Sequence, residues 1–257
     1  MPIDHHTLRA TVQAALEPLG FVHSLWEAGS TAFGRNDEWS DLDLTADVDE
    51  GQEDATFAAV EEALERLAPI ELKWVIPVPA SHGMHQRFYR LAGTPPYLMV
   101  DLTLRRSDQP EHFAEREMHG EPVVLFDKRG QVRSIPMDRT KLAADVERRL
   151  ASIRVQVPLL EHLVTKELDR GHPLDALGYY QALVLRPLVE LLRIRYHPER
   201  HGFGLRYLTI DLPADVVARI EALAYVPDPH NLRRQHAEAV AWCMAELAAL
   251  DTGATTD

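Results

Sequence analysis

The chain has 257 residues, 46% hydrophobic and 26% charged, with a formal net charge of −13. That is globular composition with room for two ordinary domains, and it excludes wholesale disorder. A single cysteine, Cys243, excludes an intrachain disulfide, and no clustered Cys/His spacing points to structural zinc.

The acidity is uneven: residues 1–136 carry 23 Asp/Glu against 12 Lys/Arg, whereas residues 137–257 carry 17 against 15. Such a field attracts cationic ligands and opposes a phosphate backbone, so nucleic acid is an unlikely partner. The start, MPIDHHTLRA, lacks a basic and then apolar leader, and no later run is long enough to cross a bilayer. The expectation is a soluble, cytoplasmic protein with no membrane partner.

Taken in chain order, residues 4–18 read as a helix on the spacing of Leu8, Val12, Ala15 and Leu16, stopped by Pro18-Leu19-Gly20. A strand over 21–27 leads to a Gly29-Ser30 turn and a strand over 41–48, followed by a helix over 52–68 that buries Phe57, Val60, Leu64 and Leu67. Strands follow at 70–76, 84–91 and 97–104, the last two separated by the Gly93-Thr94-Pro95-Pro96 turn. After a charged connector at 105–120 and a short strand at 122–126, the periodicity becomes helical through 138–168, 174–196, 214–224 and 230–250. The predicted fold class is therefore α+β: a small mixed-sheet domain over 1–136, an all-α bundle over 137–250 and a frayed tail over 251–257. Pro187 is expected to kink the helix of 174–196, whose run YYQALVLRPLVELL reads as the bundle's core.

The chemistry-bearing residues sit in the first domain. Asp41, Asp43, Asp47 and Asp49 fall at alternate positions with apolar residues between them, so a period-two strand carries them on one face. Carboxylates repeated on one face repel each other, an arrangement that is costly unless solvated or bound to a divalent ion. Asp101 stands in the otherwise apolar run YLMVDLTL, where an unpaired carboxylate is penalised by desolvation. If the strands of 41–48 and 97–104 are neighbours, Asp101 joins Asp41 and Asp43 in an oxygen-rich cluster of the kind magnesium prefers.

Helix, strand, Gly29-Ser30 turn, Asp41-Leu42-Asp43 strand, helix, and a later strand with Asp101 together resemble the polymerase-beta-like nucleotidyltransferase superfamily over roughly residues 5–104. A small first domain followed by a helical one is similar in architecture to the bacterial aminoglycoside nucleotidyltransferases and their relatives. By resemblance, Gly29 lets the backbone approach the phosphates and Ser30 offers its hydroxyl and amide to them. Asp41 and Asp43 hold magnesium, two ions in all, and Asp101 completes the metal site and orients or deprotonates the acceptor hydroxyl. The implied activity moves a nucleoside monophosphate, AMP from ATP in the first instance, to a hydroxyl of a small acceptor, with a polycationic aminoglycoside as one candidate. The helical domain then binds the acceptor. The resemblance leaves open a protein or tRNA acceptor, a non-catalytic nucleotide-binding or toxin–antitoxin module, the base preference and the oligomeric state.

Other residues carry weaker signals. Asp47 and Asp49 read as solvated strand-end charges, and Arg35, in the loop between the motif halves, fits either a phosphate contact or a surface arginine. His82, His85, His197 and His201 invite a metal reading, but Pro198 opposes a regular helix carrying the last two. Arg195 and His201 within RYHPERH resemble the Arg-and-His ribonuclease motif of HEPN-type helical domains; the plainer reading is a loop capping the helix of 174–196, with Tyr196 and Phe203 packed inward. Glu161, Lys166, Glu167, Tyr180 and Glu190 are candidates to face a cleft, and each also fits a solvated helix face.

Overall fold

A computed structural model describes residues 3–77, 84–107 and 115–252. His82, part of the charged connector and residues 253–257 of the tail lie outside them. The chain divides into two compact units, Met1–Met137 and Asp138–Asp257, and its class is α+β.

The first unit is a six-stranded sheet backed by two helices. Its strands are β1 (Val22–Glu27), β2 (Leu42–Val48), β3 (Ile70–Val75), β4 (His85–Leu91), β5 (Val100–Arg106) and β6 (Val123–Asp127), in the order β3-β4-β5-β2-β1-β6. Every pairing is antiparallel except β2 with β5, which run parallel. A parallel neighbour needs a long crossover, and the segment between them, containing α2 (Glu53–Leu67), β3 and β4, supplies it.

The alternation of the strands divides the sheet. Leu42, Leu44, Ala46, Val48, Val100, Leu102 and Leu104 are sealed in a core with Leu8, Val12 and Leu16 of α1 (His5–Leu16) and Phe57, Val60 and Leu64 of α2. Asp4 starts α1 by accepting from the Thr7 amide at 2.8 Å, and Glu53 and Asp54 place acids at the positive end of α2. The residues between the core positions, Asp43, Thr45 and Asp47 on β2 and Asp101, Thr103 and Arg105 on β5, share the opposite face. A short helix, α3 (Arg116–His119), precedes β6.

The second unit is helical throughout: α4 (Arg139–Leu160), α5 (His162–Asp169), α6 (Pro173–Tyr180), α7 (Arg186–Tyr196), α8 (Leu208–Asp211), α9 (Ala214–Ala224) and α10 (Pro229–Asp251). Two expectations change here. The helix of 138–168 is divided into two segments at Glu161, which keeps α-helical backbone angles and still donates to the Val157 carbonyl at 3.0 Å; Pro158, three residues earlier, removes one amide from the ladder. The helix of 174–196 contains a π-helical turn, Gln181–Leu185, ending one residue before Arg186-Pro187, the proline expected to kink it.

The core of this unit is built on Leu188, Val189, Leu191 and Leu192 with Ile220, Leu223, Ala239 and Cys243. Cys243 is fully buried with its thiol 3.7 Å from the Val184 carbonyl, and burial pushes its pKa up to about 12. Tyr180, a cleft candidate from sequence, is instead sealed in this core and donates to the Leu223 carbonyl at 2.9 Å. The loop after α7 is tied by buried Arg193, which donates to the Gly204 carbonyl at 2.9 Å and to Asp211 at 2.8 Å, while Arg200 reaches the other Asp211 oxygen at 2.9 Å. Among the described residues no helix is long and apolar enough to cross a membrane.

Candidate active site

The two ends of the β2–β5 ladder have different chemistry. In register, Asp43 stands opposite Asp101 and Asp47 opposite Arg105. Adjacent strands lie about 4.8 Å apart, so paired residues on one face are near neighbours. Asp47, read from sequence as a solvated strand-end charge, is only 2% exposed and is bound by the Arg105 guanidinium at 3.2 Å. The correction has a simple cause: the partner is contributed by a strand almost sixty residues away. Asp49 is half exposed and lies 2.6 Å from His23 Nε2.

At the other end two acids face each other, Asp43 and Asp101. The Leu42 amide donates to the Met99 carbonyl at 2.8 Å, and Asp41 lies one residue before β2. Gln86 on β4 donates its amide to both oxygens of Asp101, at 2.8 and 3.0 Å, which fixes the plane of the carboxylate. Sequence reading missed Gln86, since its role depends on the antiparallel β4–β5 register.

Gly29 completes this end. It has a left-handed φ of +55°, and a Cβ added to it would stand 2.5 Å from Asp43 Oδ2. Only a residue without a side chain lets the turn lie directly against the carboxylate. The Ala28 amide donates to the Asp43 carbonyl at 2.9 Å, holding the turn to β2. Ser30 follows at the start of a single 3-10 turn, Thr31–Phe33, with its hydroxyl 3.3 Å from Ser40 Oγ.

That turn is anchored from two sides. Glu27, fully buried at the end of β1, accepts from Thr31 at 2.8 Å and pairs with His5 at 3.0 Å and Arg9 at 3.4 Å. Burial works against its charge, and the hydrogen bonds and charges of His5, Thr31 and Arg9 more than offset this, leaving the carboxyl below the usual glutamate range. On the other side Gly120, with φ +78°, lies where a Cβ would meet the Ala32 carbonyl at 2.5 Å, and the next amide, Glu121, donates to that carbonyl at 2.9 Å. Neither Glu27 nor Gly120 was singled out by sequence. Arg35 is exposed, with its guanidinium 5.0 Å from the Phe33 ring.

The donor set of Asp41, Asp43 and Asp101 is all oxygen and all anionic, which fits a hard divalent cation such as magnesium. Among the described residues, the three whose ligand atoms do come within 4.8 Å of one another are Glu167, His172 and Asp175 in the helical unit; Asp41, Asp43 and Asp101 are not brought that close. Glu167 is already served by His172 at 2.9 Å, Arg170 at 3.0 Å and Lys166 at 3.8 Å, so nearby cations oppose a metal there. The remaining candidates are structural pairs. Glu190 is buried and bound by Arg149 at 2.6 Å, Glu161 lies 3.1 Å from His236, and Arg195 is tied to Glu246 at 3.0 Å. His197 lies 3.2 Å from Glu199, and His85 on β4 lies 3.9 Å from Glu53.

Two aromatic pairs stand on this unit, exposed in Trp39, Tyr97 and Trp74 and half-buried in Phe88. Trp39 and Tyr97 have ring centroids 4.9 Å apart, and Trp74 and Phe88 are stacked at 5.3 Å with planes 22° apart.

Neither a family model nor a curated protein matches this sequence. Among solved structures, an aminoglycoside 6-adenyltransferase from Bacillus subtilis aligns with 99% of this chain and 93% of its own at 12% identity and a TM-score of 0.41, a likeness too distant to carry an argument.

Proposed function

We propose that this protein is a nucleotidyltransferase that moves a nucleoside monophosphate, AMP from ATP in the first instance, to a hydroxyl of a small molecule and releases pyrophosphate. The observation that carries the reading is the placement of Asp43 opposite Asp101 on neighbouring parallel strands, with Gly29 pressed against the Asp43 carboxylate. Two acids held side by side next to a turn open to phosphate are what triphosphate chemistry needs.

In this reading Asp41, Asp43 and Asp101 would hold magnesium, which when bound neutralises charge on the triphosphate and on the oxygens of the displacement. Gly29 lets the backbone approach the phosphates, and Ser30 offers them its amide and hydroxyl. Asp101, oriented by Gln86, takes the proton of the acceptor hydroxyl. As the acceptor oxygen bonds to the α-phosphorus, the bond from that phosphorus to the oxygen bridging the β-phosphate breaks and the electron pair leaves with pyrophosphate. The helical unit contributes to the choice of acceptor. An aminoglycoside belongs among the first acceptors tested because the acidic first unit attracts cations.

Magnesium-dependent pyrophosphate release from each nucleoside triphosphate, with Asp41→Asn, Asp43→Asn and Asp101→Asn as controls, tests the reading. Release that survives Asp43→Asn would overturn it. Release only with a protein or RNA acceptor would move the substrate class, and tight nucleotide binding without release would make the chain a binding module.

A further inference from the structure

The strand registers place the Trp74–Phe88 stack in line with the two acids. Trp74 stands opposite Phe88, Phe88 opposite Asp101, and Asp101 opposite Asp43, with Gly29 against Asp43. One row across a single face of the sheet therefore runs from the Gly29-Ser30 turn, over both carboxylates, to an aromatic strip at the far edge. At one strand spacing per step, Phe88 lies about 5 Å and Trp74 about 10 Å beyond Asp101.

The strip is a shaped surface. Leu72, Trp74, Phe88, Arg90 and Met99, with Lys73, line a groove of about 370 Å³, within the range of small-ligand sites. Trp74 is 61% and Leu72 56% exposed, a large apolar area to leave in water. Among the described residues its lining contains no carboxylate, and of its two basic residues Lys73 alternates with Trp74 and carries its ammonium to the α2 side of the sheet. Both cations are engaged, Lys73 with Glu61 at 3.0 Å and Arg90 with Glu71 at 3.2 Å.

We infer that this strip seats the acceptor, and that the acceptor is a hydroxylated compound with a flat, uncharged ring, such as a nucleoside or an aryl glycoside, rather than a polyammonium compound. The inference rests on the nucleotidyl-transfer reading and deepens it. In-line displacement puts the attacking and leaving oxygens on opposite sides of the α-phosphorus. If pyrophosphate leaves toward Gly29 and Ser30, the acceptor enters from the Asp101 side, where the row continues into Phe88 and Trp74. A ring laid on Trp74 buries apolar area on both partners, whereas a polyammonium compound gains no such burial, meets the Arg90 guanidinium and finds no carboxylate among the described lining residues.

The test uses the full chain with magnesium. Equilibrium binding of p-nitrophenyl β-D-glucopyranoside, of kanamycin and of ATP is measured on wild type, Trp74→Ala and Trp74→Phe, with sedimentation of each. The glucoside is expected to bind wild type, to weaken about tenfold in Trp74→Ala, the size of one ring-stacking contact, and to recover most of that in Trp74→Phe. ATP affinity is expected to change less than about twofold in both variants, and kanamycin to bind without dependence on Trp74. The seat is overturned if the glucoside does not bind or binds Trp74→Ala equally well, or if kanamycin shows the Trp74 dependence. ATP affinity falling with Trp74→Ala would make the strip a base platform, and a dimer that dissociates in that variant would make it an interface between copies; either result overturns the seat. Failure of wild type to bind ATP with magnesium would instead sink nucleotidyl transfer itself.

Discussion

Asp43 and Asp47 lie on the same strand, on the same face and beside the same neighbouring strand, yet they have opposite surroundings. Asp47 faces Arg105 and is buried in an ion pair, while Asp43 faces Asp101 beside an open turn. A buried carboxylate with a guanidinium partner is satisfied and has little left to offer a ligand. Two carboxylates facing each other gain most from a cation. The acids are chemically identical, so what separates structure from chemistry on this strand is which residue of β5 the register delivers.

The comparison predicts contrasting variants, beginning with the largest effect. Asp43→Asn is expected to lower magnesium-dependent pyrophosphate release about a thousandfold in a chain that still melts cooperatively. Release that survives the substitution would break the contrast. Arg105→Ala should do the reverse in kind, costing about 3 kcal/mol in a denaturant titration by leaving Asp47 buried without its cation. Adding Asp47→Asn to that variant should return part of the loss, and a purely additive double variant would mean the two side chains are not coupled.

Smaller effects sharpen the active end. Gly29→Ala must move the Asp43 carboxylate and place a side chain at positive φ, so turnover should fall roughly tenfold or more at a stability cost of about 1 kcal/mol. Glu27→Gln should cost on the order of 1 kcal/mol at neutral pH. Folding lowers the Glu27 pKa, so its contribution is complete above the unfolded glutamate value of about 4.3 and disappears as pH falls through the lower folded value. Stability curves for Glu27→Gln and wild type should therefore converge in acid, and a constant gap across pH would refute the assigned cause.

Local patterns made most of the architecture legible. Alternation and turn residues located all six strands and the α2 helix within a few residues, and the loss of alternation after about residue 136 marked the change to helices. Gly29-Ser30 and Asp41-Leu42-Asp43 were likewise visible as local motifs. What stayed hidden depends on contacts distant in the chain. Alternation alone cannot distinguish Asp43 from Asp47, and Gln86 acquires its role only when β4 pairs with β5, which sets it opposite Thr103 and diagonal to Asp101. Glu27 and Gly120 matter through the back of a turn that neither of them forms. In the helical unit, Tyr180 and Glu190 looked like surface residues because nothing in the local sequence shows the Leu223 carbonyl that accepts the tyrosine hydroxyl or the Arg149 guanidinium that donates to the carboxylate.

Cys243 gives the helical unit a built-in reporter. Its thiol is the single one in the chain, fully buried, and its pKa of about 12 leaves almost no thiolate at neutral pH, so a thiol reagent can reach and react with it only when the surrounding core opens. The rate of labelling in native buffer thus measures the opening free energy of the second unit alone, without an engineered probe and without a signal from the unit that carries the acids.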